Sequence, residues 1–268
     1  MRINNLFKAL APIMAIALSG SISACNGEVS VNGSKGVPLS ELDLSGKAPE
    51  HLVLASPDEI RVTRGDKLAI TVDGDGEAAG HVRFTLKDGA LGIMRDDGFK
   101  WHDGDKTVVV NVTMPDPAEV TLAGSGKVTA PGLASDAKVT VAGSGTVDGG
   151  SLASQKLELT ITGSGDFRAA GTAHDLKLTI LGSGSAHAEA LKVDEAKVTV
   201  AGSGSASFAS DGNVKADILG SGEVRVIGRA TCRVSAMGSG RLVCENGTAP
   251  AGPAPTPPAP PAPPAPKG

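Results

Sequence analysis

The chain has 268 residues, 40% of them apolar but only 2% aromatic, with 36 glycines, 17 prolines and no tyrosine. Its formal net charge of −4 argues against nucleic acid as the main partner. The apolar fraction is enough for a core, and Gly and Pro are segregated along the chain rather than mixed, which excludes simple disorder.

Arg2 and Lys8 form a positive segment ahead of an apolar run, Ala9 to Leu18, which is too short to span a bilayer and suits a secretion signal. The segment ends Ile22-Ser23-Ala24-Cys25, which resembles the bacterial lipobox. Residues 1–24 therefore read as a signal peptide, and Cys25 as the lipidation site and mature N-terminus. Ordinary cleavage beside a spare cysteine is the alternative, but it would place bulky Ile22 where a small residue is preferred. Acyl chains on Cys25 would hold the protein on a membrane, each buried methylene contributing roughly 0.8 kcal/mol. Asn26, not Asp, follows the cysteine, which in Gram-negative lipoproteins implies sorting to the outer membrane, facing the periplasm or the surface. Residues 25–36 are polar and Gly-rich and read as a lipidated tether.

Period-2 patterns follow at Leu52–Leu54, Ile60–Val62, Leu68–Val72, Val82–Leu86 and Val108–Val112, and each predicts a strand. Turn residues separate them at Arg64-Gly65-Asp66, Asp73-Gly74-Asp75-Gly76, Lys87-Asp88-Gly89 and Asp103-Gly104-Asp105. No helical period is evident after the signal peptide. These strands are expected to form a hairpin-rich N-terminal β cap. Asp73–Glu77 lacks the Gly spacing and distal Glu of a calcium loop and reads as a solvated hairpin turn. Asp96–Asp103, which holds the only Trp, reads as an exposed mixed loop.

Gly-Ser-Gly then recurs seven times, with its glycines at Gly124 and Gly126, Gly143 and Gly145, Gly163 and Gly165, Gly182 and Gly184, Gly202 and Gly204, Gly220 and Gly222, and Gly238 and Gly240. The steps are 19, 20, 19, 20, 18 and 18 residues, the mark of stacked repeats. Apolar residues stand two and four positions before each triplet, as in Ile161 and Leu159, and four after its first Gly, as in Phe167. Each side of the triplet is thus a strand with one buried face, and the glycines are structural turns. The prediction is an all-β fold: a parallel β-helix or β-solenoid of about seven 18–20-residue coils over 118–247, within a domain spanning 37–247. At roughly 4.8 Å per coil the seven make a segment roughly 30 Å long, with no room for a ligand inside.

Outward positions form columns. Glu119, Lys138, Glu158, Lys177, Lys197, Lys215 and Arg233 lie five residues before each first Gly, and Thr121, Thr140, Thr160, Thr179, Thr199, Asp217 and Ser235 lie three before it. The last four basic residues suggest a stripe for an anionic polymer, but Asp136, Asp175 and Glu195 lie two residues upstream and partly neutralise it, so a solvated, aggregation-resistant face is expected. Cys232 and Cys244 flank the last triplet with inward parity; in an exported chain they are a candidate disulfide, and two buried thiols are the alternative. Residues 248–268, rich in Pro and Ala, predict a disordered polyproline-II tail.

Between about Leu52 and Cys244 the chain resembles the auto-transporter adhesin head GIN domain family of bacterial envelope proteins. The resemblance rests on Val112-Thr113-Met114-Pro115 followed by Val120-Thr121-Leu122-Ala123-Gly124-Ser125-Gly126 and its repeats. It implies a β-solenoid in an exported, often lipid-anchored protein, and it carries no catalytic, cofactor-binding or metal-ligating residues. The Pro-rich end does not resemble a membrane β-barrel. The expected function is a non-catalytic cell-envelope lipoprotein: an adhesin or structural binding module, held to the membrane by its lipid and facing an envelope polymer or surface ligand. A carbohydrate-active β-helix enzyme and a self-assembling envelope scaffold are the alternatives; the first needs clustered carboxylates and aromatics, which the sequence scatters or lacks.

Overall fold

The structure, a computed structural model, describes residues 22–25, 28–31, 34–96, 98 and 107–245. Most of the signal-peptide assignment, the tail over 248–268, the turn at Asp103–Asp105 and the Trp-bearing part of the loop at 96–103 lie outside the described residues. Strands β1 (Ile22–Cys25) and β2 (Glu28–Val31) pair antiparallel. After a 3-10 turn at Leu39–Glu41, the alternating stretches form β3 (His51–Ala55), β4 (Glu59–Arg64) and β5 (Ala69–Asp73). A one-turn helix α1 (Gly76–Gly80) precedes β6 (Val82–Lys87), β7 (Ala90–Arg95) and β8 (Val109–Met114). The repeats begin with β9 (Glu119–Gly124), β10 (Lys127–Thr129) and β11 (Asp136–Gly143). Long strands β12 (Thr146–Gly163), β13 (Asp166–Gly182), β14 (Ser185–Gly202) and β15 (Ser205–Gly220) follow, then β16 (Glu223–Ile227), β17 (Thr231–Gly238) and β18 (Arg241–Glu245).

The run leading into each triplet stacks on that of the previous coil in parallel, one residue to one residue: Leu159 lies beside Val139 and Leu178, and Gly163 beside Gly143 and Gly182. The segments before each triplet build one side of a β-solenoid, and those after it build the opposite side. Register shifts after Asp148 and Arg168 mark a second corner. The inward columns are buried, and Phe167 and Phe208 fill the space between the sides at 1% exposure each. Such a coil cannot bury its inner face alone, so burial comes from its neighbours.

The two glycines of a triplet do different jobs. Gly163, the first, has φ +111°, which only Gly adopts without strain. Gly165, the second, is there for space: a Cβ would lie 2.5 Å from Val141 Cγ1 and 2.8 Å from the Gly145 carbonyl oxygen of the coil beneath. Between them Ser164 is exposed, while its N–H donates to Gly143 O at 2.9 Å and Asp166 N–H donates to Gly145 O at 2.9 Å. The ladder therefore turns the corner without losing backbone hydrogen bonds.

The N-terminal strands depart from a plain hairpin cap. β3 and β4 are themselves a parallel coil, with β9 and β10 on one side and β7 and β8 on the other. The first coil in sequence is thus second in the stack. Besides β1 with β2, antiparallel pairing among these strands is confined to β6 with β7 and β5 with β8. In this coil Ser56-Pro57-Asp58 replaces Gly-Ser-Gly, and its carbonyls sit under Gly126. β7 escaped the sequence pattern because all six of its residues are buried; with both faces covered, alternation disappears.

Two further expectations are corrected. The stretch Asp73–Glu77 is not a simple hairpin turn: Asp75 caps α1, its carboxylate accepting from Glu77 N–H at 3.1 Å, and a side-chain cap makes one turn of helix out of a polar loop. The tether expected over 25–36 contains β2, whose Val31 is fully buried against Val53 and Met94 on the outside of β3 and β7. Among the described residues no helix is long and apolar enough to cross a membrane.

Candidate functional site

The interior of the solenoid is filled, so binding chemistry belongs to its outer sides and its ends. On the side carrying β9, β11 and β17 the outward columns predicted from the repeat are in register: Glu119, Lys138, Glu158, Lys177, Lys197, Lys215 and Arg233 lie side by side. The early members pair along the column. Lys138 Nζ meets Glu119 Oε1 at 3.0 Å, and Lys177 Nζ meets Glu158 Oε1 at 2.6 Å. The hydrogen bond from Lys177 holds the Glu158 carboxyl below its ordinary value, against the opposing effect of burial and with help from Lys156 and Lys138.

Toward the C-terminal end the pattern changes. Among the described residues Lys215 pairs only with Asp217, at 3.9 Å on its own strand. Glu195, which the upstream column sets near this row, is engaged by Asn213 Nδ2 at 2.7 Å. Lys197 and Arg233 make no ion pair among the described residues. A shallow, solvent-open cleft of about 330 Å3 runs here between Lys177, Lys197 and Lys215 on one flank and Lys156, Asp175 and Glu195 on the other. Buried Leu176 and Ala196 form its floor. The neighbouring Thr column is mostly covered: Thr121 and Thr140 are buried, while Thr160, Thr179 and Thr199 are half-buried. The seven serines of the triplets are exposed along the solenoid edge. They form a corner ridge, and their backbone groups stitch the coils together.

Several charged groups elsewhere are held in their charged form by their partners. Ser207 Oγ donates to Glu189 Oε1 at 2.6 Å and holds that carboxyl low; the Arg229 N–H and Lys192 do the same for Asp211. Arg61 and Arg64 are held high by Glu59 and Asp116. General acid–base work needs groups poised near the working pH, and these shifts run the other way. Among the described residues no cluster of His, Cys, Asp or Glu could hold a metal ion.

One constellation was missed by sequence reasoning. Asp58, fully buried at the first corner, accepts from Arg95 Nε at 2.7 Å and from Val108 N–H at 3.0 Å, while Arg95 also reaches the Ala78 carbonyl of α1. Arg95 ending the apolar run Ala90–Met94 was the available signal. Beside it, Asp96 accepts from the His81 ring at 2.8 Å and pairs with Arg83; burial opposes ionisation there, but these partners win and lower its pKa. The first group ties the N-terminal coils and α1 together, and the second closes the open end of the β6–β7 hairpin. At the other end a disulfide joins Cys232 and Cys244 across the last coil, with Cα atoms 6.7 Å apart. Cys25 ends β1.

The sequence profile of the family described as "Putative auto-transporter adhesin, head GIN domain" matches residues 48–230. Several solved structures share the fold. A putative adhesin from Bacteroides fragilis NCTC 9343 is 24% identical with a TM-score of 0.69, covering 74% of this chain and 93% of its own. A putative lipid binding protein from Parabacteroides distasonis ATCC 8503 is 19% identical with a TM-score of 0.60, covering 75% and 94%. A putative adhesin from the same organism is 20% identical with a TM-score of 0.58, covering 75% and 94%. No curated protein matches the chain. The last coil, with its disulfide, lies beyond the family match.

Proposed function

The chain belongs to the auto-transporter adhesin head GIN domain family, and from that premise we propose that it is a non-catalytic adhesin of the cell envelope. In this reading Cys25 carries the lipid that holds the protein to the outer membrane, and the solenoid presents its charged side to an anionic envelope or surface polymer. The observation that supports this best is the change along one in-register column, from paired Glu and Lys at one end to Lys197 and Arg233, which make no ion pair among the described residues, at the other. Ammonium groups one coil apart, roughly 4.8 Å, suit a linear polyanion laid along the stack.

The test is binding of the full chain to acidic and neutral envelope polysaccharides. Acidic polymers should bind in a salt-sensitive manner, and the triple variant Lys177→Gln, Lys197→Gln, Lys215→Gln should bind at least tenfold more weakly. Equal binding by the triple variant removes this face from the proposal, and hydrolysis of any polymer removes its non-catalytic part. Mass spectrometry of the mature N-terminus and external protease treatment of whole cells test the anchor and the exposure. An unmodified Cys25 in membrane fractions overturns the lipid anchor, and protection from protease overturns adhesion.

A further inference from the structure

The C-terminal coil leaves the stack with an open strand edge. Among the described residues β17 pairs only with β15. Within the stack Lys138 N–H donates back to Ala118 O, and Arg233 holds the place of Lys138 in its own coil. Arg233, Ser235 and Met237 therefore spend their backbone groups on β15, and strand alternation aims those of Val234 and Ala236 out of the open end. Val234 is 53% exposed, whereas Ala216 beside it one coil earlier is fully buried. The opposite side of the coil is better covered, with Leu242 to Glu245 half-buried while Arg233 to Gly238 are all exposed. An unpaired edge over an apolar interior is a place for one more strand.

We propose that this strand is the chain's own segment 252–256, laid parallel on β17 as a terminal cap. The segment lies outside the described residues and follows directly from this end of the stack. Gly252 comes seven positions after Glu245, and one coil earlier Arg233 comes six after Ile227, so a corner of nearly the same length joins them.

The proline spacing selects the register. A strand added in parallel must donate an N–H at every second residue, and proline has none. The repeats advance by 18 to 20 residues. A step of 18 sets Pro253 and Pro255 over Ser235 and Met237, and a step of 20 sets them over Arg233 and Ser235, in both cases where donors are required. A step of 19 sets Gly252, Ala254 and Thr256 over Arg233, Ser235 and Met237. Their N–H groups then reach the carbonyls of Cys232, Val234 and Ala236, while Val234 and Ala236 donate to the carbonyls of Gly252 and Ala254. Pro253 and Pro255 take the inward places above Val234 and Ala236. Their missing donors face away from the stack, the setting in which a sheet edge accepts proline.

The same register ends the solenoid. Pro257 falls over Gly238, the first glycine of the last triplet, whose φ is +116°. Proline holds φ near about −65°, so the next corner cannot form. The cap offers no outward N–H at Pro253 or Pro255, so its edge is a poor template for another chain. Over β18 every step from 18 to 20 puts two prolines at donor positions, so the cap is one strand and the residues after it extend away.

The test is amide hydrogen exchange, read by NMR on the full chain and on a chain ending at Gly247. The Val234 and Ala236 amides should exchange at least tenfold more slowly in the full chain, with the amides of β12 and β13 alike in both. Ala254→Pro, which removes the donor over Ser235, should erase that protection. Pro253→Ala, whose new N–H faces away from the stack, should keep it. Equal exchange in the full and shortened chains overturns the proposal, as does protection that survives Ala254→Pro. Protection that grows with protein concentration also overturns it and makes a second copy of the chain the occupant.

Discussion

The Arg95 guanidinium grips the Asp58 carboxylate inside the protein, Nε to Oδ2 at 2.7 Å, with the Asp58 side chain wholly buried and that of Arg95 only 7% exposed. Asp58 sits in the turn that replaces Gly-Ser-Gly in the coil of β3 and β4, and Arg95 ends β7 in the coil next to it. Because Arg95 also holds Ala78 of α1, one side chain joins the inserted coil, its neighbour and the capping helix. Removing one partner of a buried pair leaves an uncompensated charge, which typically costs about 3–5 kcal/mol. Arg95→Met should therefore lower stability by that order in urea unfolding, and adding Asp58→Asn should recover part of the loss. A full additive loss in the double variant would show that the two do not act as a pair.

At the corners, Gly165→Ala should destabilise more than Ser164→Ala. The added methyl meets Val141 and a backbone carbonyl of the coil beneath, and overpacking of this kind costs typically about 1–3 kcal/mol. Ser164 is exposed, so its loss should stay within about 0.5 kcal/mol. Thermal unfolding of the two variants checks the order.

Acid should weaken the fold through carboxylates that the folded state keeps ionised. Glu158 is held below its ordinary value of 4.5 first by Lys177, so its contribution is fully present above that value and is lost as pH falls through the lower folded-state pKa. Glu59, Glu189 and Asp211 shift in the same direction. The urea midpoint should thus fall between pH 6 and about pH 3, and Lys177→Met should shrink that fall. An unchanged pH dependence in the variant would remove the Lys177–Glu158 pair from the account.

Reduction of Cys232–Cys244 should act locally. In a stacked architecture each coil depends mainly on its neighbours, and this disulfide closes the final coil. Hydrogen exchange under reducing conditions should speed up in Thr231–Glu245 and leave β12 and β13 unchanged. Faster exchange throughout the repeats would show that the end coil locks the whole stack.

The repeat was legible in the sequence because its information is local. A triplet every 18 to 20 residues with alternating flanks fixes which side chains face inward, where the chain turns and which outward residues share a column. The charged column needed only that register, so Lys177, Lys197, Lys215 and Arg233 could be placed together before any contact was seen. The N-terminal coils were less legible because their contacts come from far along the chain. β7 showed no alternation since Leu91 and Ile93 on one face enter the core and Val31 packs against Met94 on the other, and the buried Asp58–Arg95 pair joins residues 37 apart. Sequence alone determined the stacked coil and its inward face, because every repeat restates the same short pattern. Only the tertiary structure decided that the first coil in sequence stands second in the stack and that the two glycines of a corner serve φ and space separately, since each depends on which remote backbone lies alongside.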